Sequence, residues 1–223
     1  MYDKILLLRN DKRKGGEKMK KTNIKKIAIL GGIIMALSAN VFAASFADIE
    51  GHWAEENIAN LTEAGVINGY PDGTFRPEGT VKRGEFLKLV IAASLPEGVD
   101  IADAPSNLNH WAGQYLFVAE TYRIVEPGVI TLETIDEPIT RREMALMLSK
   151  ADTILKRKDL NQKVAVTYND YDQMDAQELK YLSHAVSCGY ITGYTDNTFR
   201  PDKNMTRAES ATIISRYTSE VGM

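Results

Sequence analysis

Apolar residues recur at helical spacing in several stretches of this chain, and turn-forming segments separate them. Trp53, Ile58, Leu61 and Ala64 predict a short amphipathic helix, and Gly65 is placed to end it. Phe86, Leu89, Val90 and Ala93 share a stripe of a second helix, which Pro96-Glu97-Gly98 closes. Met144, Leu148, Ala151 and Leu155 are in register along a longer helix, from about Arg141 into Lys156. Leu179, Leu182, Ala185 and Val186 supply another helix, and the last runs from Arg207 to about Tyr217. The polar, basic stretch 156–167 reads as a linker. The chain is therefore mainly α, built of helix-loop-helix units.

The loops reveal an internal repeat. Gly69-Tyr70-Pro71-Asp72-Gly73-Thr74-Phe75-Arg76-Pro77 returns as Gly193-Tyr194-Thr195-Asp196-Asn197-Thr198-Phe199-Arg200-Pro201, offset by 124 residues without a gap. Asp72-Gly73 and Asp196-Asn197 are turn chemistry, because Asp bonds its own backbone and Gly or Asn accepts positive φ. That reading leaves Asp72 and Asp196 as turn formers, since the loop lacks the alternating oxygen ligands of a calcium site. Phe75 and Phe199 are expected core anchors. Arg76 and Arg200 precede proline and are expected to be extended.

Each unit then reaches an Arg/Glu signature: Lys82-Arg83-Gly84-Glu85, Thr140-Arg141-Arg142-Glu143 and Thr206-Arg207-Ala208-Glu209. Thr140 with Glu143, and Thr206 with Glu209, form capping boxes that start a helix. Lys82 removes the hydroxyl from the first unit, so its box is expected to be lost. Arg83, Arg141 and Arg207 fall at the first helical position, beside free N–H groups and the positive end of the helix dipole. A guanidinium there suits a carboxylate. Spacing alone leaves two uses open: binding an anion, or pairing with a neighbouring acid at what is only a helix start.

Charge sharpens the picture. Residues 1–43 carry ten Lys/Arg against three Asp/Glu, whereas the remaining 180 residues carry 17 basic and 27 acidic side chains. That acidic balance excludes nucleic acid as the natural partner, and any anionic ligand must be held by local Arg sites. Met19 to Lys26 is a basic run, Ile27 to Leu37 is apolar, and Val41-Phe42-Ala43 suits cleavage. Residues 19–43 thus read as a secretory signal peptide, too short for a membrane span, with 1–18 an upstream extension. Cys188 is the single cysteine, which excludes an internal disulfide and a cysteine metal cluster. His184 and Cys188 stand four apart, as a Cys/His pair would, but no orienting acid is evident beside them. His52 and His110 are equivalent and come one per unit, which does not make a metal site. Trp53 and Trp111 either stack on sugar or anchor the core, and the core is favoured.

The chain resembles S-layer homology repeats. The features that carry this are Phe46-Ala47-Asp48, His52-Trp53-Ala54 (again His110-Trp111-Ala112), Gly65 through Pro77, and Met205-Thr206-Arg207-Ala208-Glu209. The resemblance covers 46–217 and divides the chain into repeats at 44–99, 100–160 and 161–223. It implies a pseudo-threefold helical bundle with the long helices at its centre. It also implies a secreted, cell-surface module that holds proteins non-covalently to the wall of Gram-positive bacteria, with no enzymatic activity, cofactor or metal. The implied ligand is a pyruvylated secondary cell-wall polysaccharide, its ketal carboxylate taken by Arg83, Arg141 or Arg207. Glu85, Glu143, Glu209, Thr140 and Thr206 would support them. Arg207 ranks first, because the second repeat has Val125-Glu126-Pro127-Gly128 in place of the usual loop. On that reading Arg207→Ala weakens polymer binding at little cost in thermal stability. The alternative is a structural protein that contacts other S-layer or envelope proteins, or binds peptidoglycan. With the repeats assigned, no stretch is left for a catalytic domain.

Overall fold

The computed structural model describes residues 46–95, 100–106, 108–156 and 158–219. The signal segment and the Pro96–Gly98 closure lie outside these residues. Six α-helices occur among the described residues: α1 Glu55–Glu63, α2 Arg83–Ser94, α3 Gly113–Thr121, α4 Arg141–Ile154, α5 Ala176–Ser187 and α6 Arg207–Ser219. They alternate short and long, and among the described residues only isolated bridges form in place of strands.

Each short helix packs on the long helix of the preceding unit: α3 on α2, α5 on α4, and α1 on α6. The first helix of the chain therefore closes a ring against the last. The long helix α2 also packs on both α4 and α6. The buried stripes follow the predicted periodicity, with Ile58 and Leu61 on α1, Phe86 and Val90 on α2, and Met144, Leu148 and Ala151 on α4.

The ring is closed by backbone as well as side chains. Val81 N–H donates to the Met205 carbonyl, Met205 N–H to Ile139, and Ile139 N–H to Val81, at 2.8–3.0 Å. These three side chains are buried at the centre. A single cyclic pattern of bonds thus relates Val81, Ile139 and Met205.

Helix starts are set locally. Thr140 and Thr206 accept from the N–H of Glu143 and Glu209, and each Glu accepts from its Thr N–H. In the first unit Glu85 still accepts the Lys82 N–H at 2.9 Å, so half of the box survives the loss of the hydroxyl. His52 and His110 start α1 and α3: their Nδ1 atoms accept the Ala54 and Ala112 N–H groups. Each Nε2 faces an acid, Glu78 and Asp136, at 3.1 Å. The third unit uses Asp175 with Glu178 instead.

The three short helices end in one motif. The N–H of Val66, Ile124 and Tyr190 reaches back five residues to Leu61, Ala119 and Ala185. The residue before each has positive φ: Gly65, Arg123 and Gly189.

Three expectations are corrected here. Trp53 and Trp111 are 62% and 53% exposed, because they precede the helices and not the core stripe. Arg76 and Arg200 have φ of 57°, not extended backbone. Asp48 draws that bend: its carboxylate accepts the N–H groups of Phe75 and Arg76, and Asp170 does the same for Phe199 and Arg200. The 156–167 stretch is docked on α5, where Asn161 N–H donates to His184 Nδ1 and Val164 N–H to Ser187.

Candidate functional site

The repeated loops are rigid from within. The Asp72 carboxylate accepts from the Thr74 hydroxyl and N–H and from the Arg76 guanidinium. Chiefly the Thr74 hydroxyl bond, then Arg76, hold it down to a pKa of about 2. Asp196 repeats this with Thr198 and Arg200, also at about 2. Arg76 and Arg200 lie over the rings of Tyr70 and Tyr194 at 4.0 and 4.1 Å. Gly69 and Gly193 are required by close approach, since a Cβ there would sit 2.1 and 2.2 Å from the rings of Phe46 and Tyr168.

All three signature arginines begin their helices, as the capping pattern predicts. The N–H groups beside them are not free. Arg83, Arg141 and Arg207 N–H donate to the carbonyls of Glu137, Lys203 and Gly79 in the next unit around the ring. The following N–H groups go to Ile135, Pro201 and Pro77. Only the side chains remain to meet a ligand, and the three differ.

Arg83 is neutralised. Its guanidinium pairs with Glu137 and with Glu143, the latter at 2.8 Å, and also reaches the Thr134 carbonyl. Burial opposes its charge, yet the two acids raise its pKa further. Arg141 is only 4% exposed. It donates to the carbonyls of Phe199 and Thr192 and lies under Tyr194 and Phe199. Its pKa is lowered, chiefly by burial. The Tyr194 hydroxyl is held by Lys203 and Glu209, which completes a cover.

Arg207 has the same neutral partners, with Nε on the Phe75 carbonyl at 2.7 Å and Nη2 on the Asn68 carbonyl at 2.9 Å. Among the described residues no carboxylate pairs with it. It is only half-buried and opens into a groove of about 240 Å3. Trp111, Asn68, Lys88, Leu89 and Val66 form the walls. Arg207 and Lys88 are its two cations and Glu85 its one acid, and with an apolar wall and an exposed indole they suit a sugar bearing an anion. Residues from all three units converge there. Lys88, Asn68 and Gly79 carried no signal of their own in the sequence; only the fold brings them together. The carbonyl bonds also revise the expected effect of Arg207→Ala. That change removes the donor from one part-buried and one exposed carbonyl and costs about 1 kcal/mol.

A second cluster lies away from this groove. Asp152, His184 and Cys188 place ligand-type atoms within 4.8 Å of one another. An acid does stand beside the Cys/His pair, contrary to expectation. The hydrogen bonding decides its chemistry. Asn161 N–H donates to His184 Nδ1, so Nε2 carries the proton and donates to Asp152 at 3.1 Å. Nε2 is also the atom nearest Cys188 Sγ, at 3.8 Å. A protonated Nε2 neither takes a thiol proton nor ligates a metal. Burial would raise the Asp152 pKa, but bonds from His184 and Tyr190, with Lys156 and Lys158 close by, hold it low. The cluster is a polar joint between α4, α5 and the docked segment.

The family model of the S-layer homology domain matches residues 45–87 and 167–211. The chain is 32% identical over 162 residues to Cell surface glycoprotein 1 of Acetivibrio thermocellus, covering 67% of this chain and 7% of that protein. It is 32% identical over 162 residues to a Cellulosome-anchoring protein of the same organism, covering 69% of this chain and 35% of that protein. It is 28% identical over 215 residues to S-layer protein EA1 of Bacillus anthracis, covering 92% of this chain and 24% of that protein. The chain thus spans well under two thirds of each of these relatives.

Proposed function

The chain belongs to the S-layer homology family, and on that premise we propose that it is a non-catalytic anchoring module for the bacterial cell wall. Its ligand is an acidic secondary wall polysaccharide, and the recognised group is the carboxylate of a pyruvate ketal. The observation that carries this reading is Arg207: a guanidinium bonded only to neutral carbonyls, open to a groove walled by Trp111. A carboxylate supplies the missing countercharge, and the indole face suits the apolar face of a pyranose.

The three signature arginines have unequal parts. Arg207 takes the ligand. Arg141 and Arg83 serve first to join neighbouring units, one through buried carbonyl bonds and one through Glu137 and Glu143. Thr206 and Glu209 fix the start of α6 and so the aim of Arg207. The acidic balance of residues 44–223 leaves no broad attraction for polyanions, so the groove selects by local fit. The protein acts at the cell surface after export through its signal segment.

Arg207→Lys is the appropriate variant, since it keeps the charge and removes the planar fork. Isothermal titration with purified pyruvylated wall polysaccharide is expected to show affinity reduced about tenfold or more. Unchanged affinity would remove Arg207 from the site.

A further inference from the structure

The three signature arginines differ in accessibility, and one position differs with them. It lies four residues before each signature Arg and faces the Arg of the preceding unit around the ring. Its occupants are Gly79, Glu137 and Lys203. In each case the backbone carbonyl accepts the N–H of the arginine it faces: Gly79 from Arg207, Glu137 from Arg83, and Lys203 from Arg141. The backbone at this position is therefore equivalent in all three units, and the side chain is what varies.

Its consequences are distinct. Glu137 turns its carboxylate onto Arg83, which then has an internal anion. Lys203 extends to the Tyr194 hydroxyl and to Glu209 at 2.9 Å, tethering the ring that lies over Arg141, whereas Tyr70 lies over Arg207 at 4.9 Å with no lysine at the facing position. Gly79 has no side chain, and its Cα lies against Arg207: an added Cβ would be 3.6 Å from Arg207 Cδ. Arg207 is the arginine that opens into a groove.

We infer that the residue at this position determines specificity in each unit, setting whether its facing arginine is open to an external anion, as with Gly79, self-neutralised, as with Glu137, or covered, as with Lys203. The inference rests on the proposed reading of the Arg207 groove and adds a rule for which grooves work. Gly79 is thus a specificity-determining residue through its absent side chain and not through backbone freedom. Its φ lies outside the left-handed region, and an added Cβ meets only the Arg76 carbonyl, at 3.1 Å, more closely than ordinary contact. A side chain there requires the Arg76 carbonyl to give by a few tenths of an ångström.

The test uses Gly79→Glu and its neutral isostere Gly79→Gln in the mature chain. Carbon-13 NMR follows the carboxylate that Gly79→Glu introduces. Seated on Arg207, it titrates below free glutamate, and the shift disappears when Arg207→Gln is added. Titration like free glutamate would overturn the inference, whatever the wall ligand proves to be. Calorimetry with purified pyruvylated wall polysaccharide is the second readout. Gly79→Glu is expected to weaken binding at least about tenfold, while Gly79→Gln stays within about threefold of wild type. Equal binding by Gly79→Glu and wild type, or equal losses in both variants, would overturn the charge rule. If the wild type itself binds no such polysaccharide, the reading of function fails, and the carboxylate titration still decides the rule.

Discussion

At the residue scale, side chains with equal sequence rank acquire unequal roles. Trp53 and Trp111 are equivalent in the repeat and both exposed, yet only Trp111 lines the Arg207 groove. Trp111→Ala is expected to lower affinity for pyruvylated polysaccharide about tenfold, the scale of one aromatic stacking contact. Trp53→Ala should leave that affinity unchanged. Both should alter stability by less than about 0.5 kcal/mol, as exposed positions do. Calorimetry and thermal denaturation check both statements, and equal loss of affinity in the two variants would contradict them. The helix-start position of each Arg was legible, because a capping box is a local pattern. The partners were not. Arg207 bonds to Phe75 and Asn68, which lie 132 and 139 residues away. The indoles were misassigned to the core because apolarity favoured burial, while their place ahead of the helix put them outside. Arg76 and Arg200 departed from the preference for extended backbone before proline because Asp48 and Asp170 fix the bend from afar.

At the scale of elements, periodicity identified the helices well, since each buries one stripe. It missed that the 156–167 segment is docked, because several of its bonds are made by backbone atoms, to Asp152, His184 and Ser187. The helix ends offer a sharper comparison. The first and third short helices end on Gly65 and Gly189, while the second uses Arg123 at φ 60°. A non-glycine residue there costs about 1 kcal/mol. The exposed Arg123–Glu126 pair at 3.5 Å returns little of that. Arg123→Gly is therefore expected to stabilise the protein by up to about 1 kcal/mol. Urea unfolding should show a raised midpoint and an unchanged slope. A lowered midpoint would mean that the ion pair outweighs backbone strain.

At the scale of the molecule, three units form one ring, and no unit is complete alone. Short helix α1 is covered by α6 from the far end of the described chain, and the Val81, Ile139 and Met205 amides close the centre. The ring sets each Arg against the loop of its neighbour, so a site needs at least two units, and the Arg207 groove draws on all three. We propose that this groove holds the protein to the wall through a pyruvate carboxylate. The most direct measurement is co-sedimentation of the mature chain with three wall preparations: untreated, stripped of secondary polysaccharide, and carrying that polysaccharide without its pyruvate ketal. Retention is expected on the untreated walls alone. Equal retention on all three would contradict the carboxylate mechanism and place the ligand in peptidoglycan.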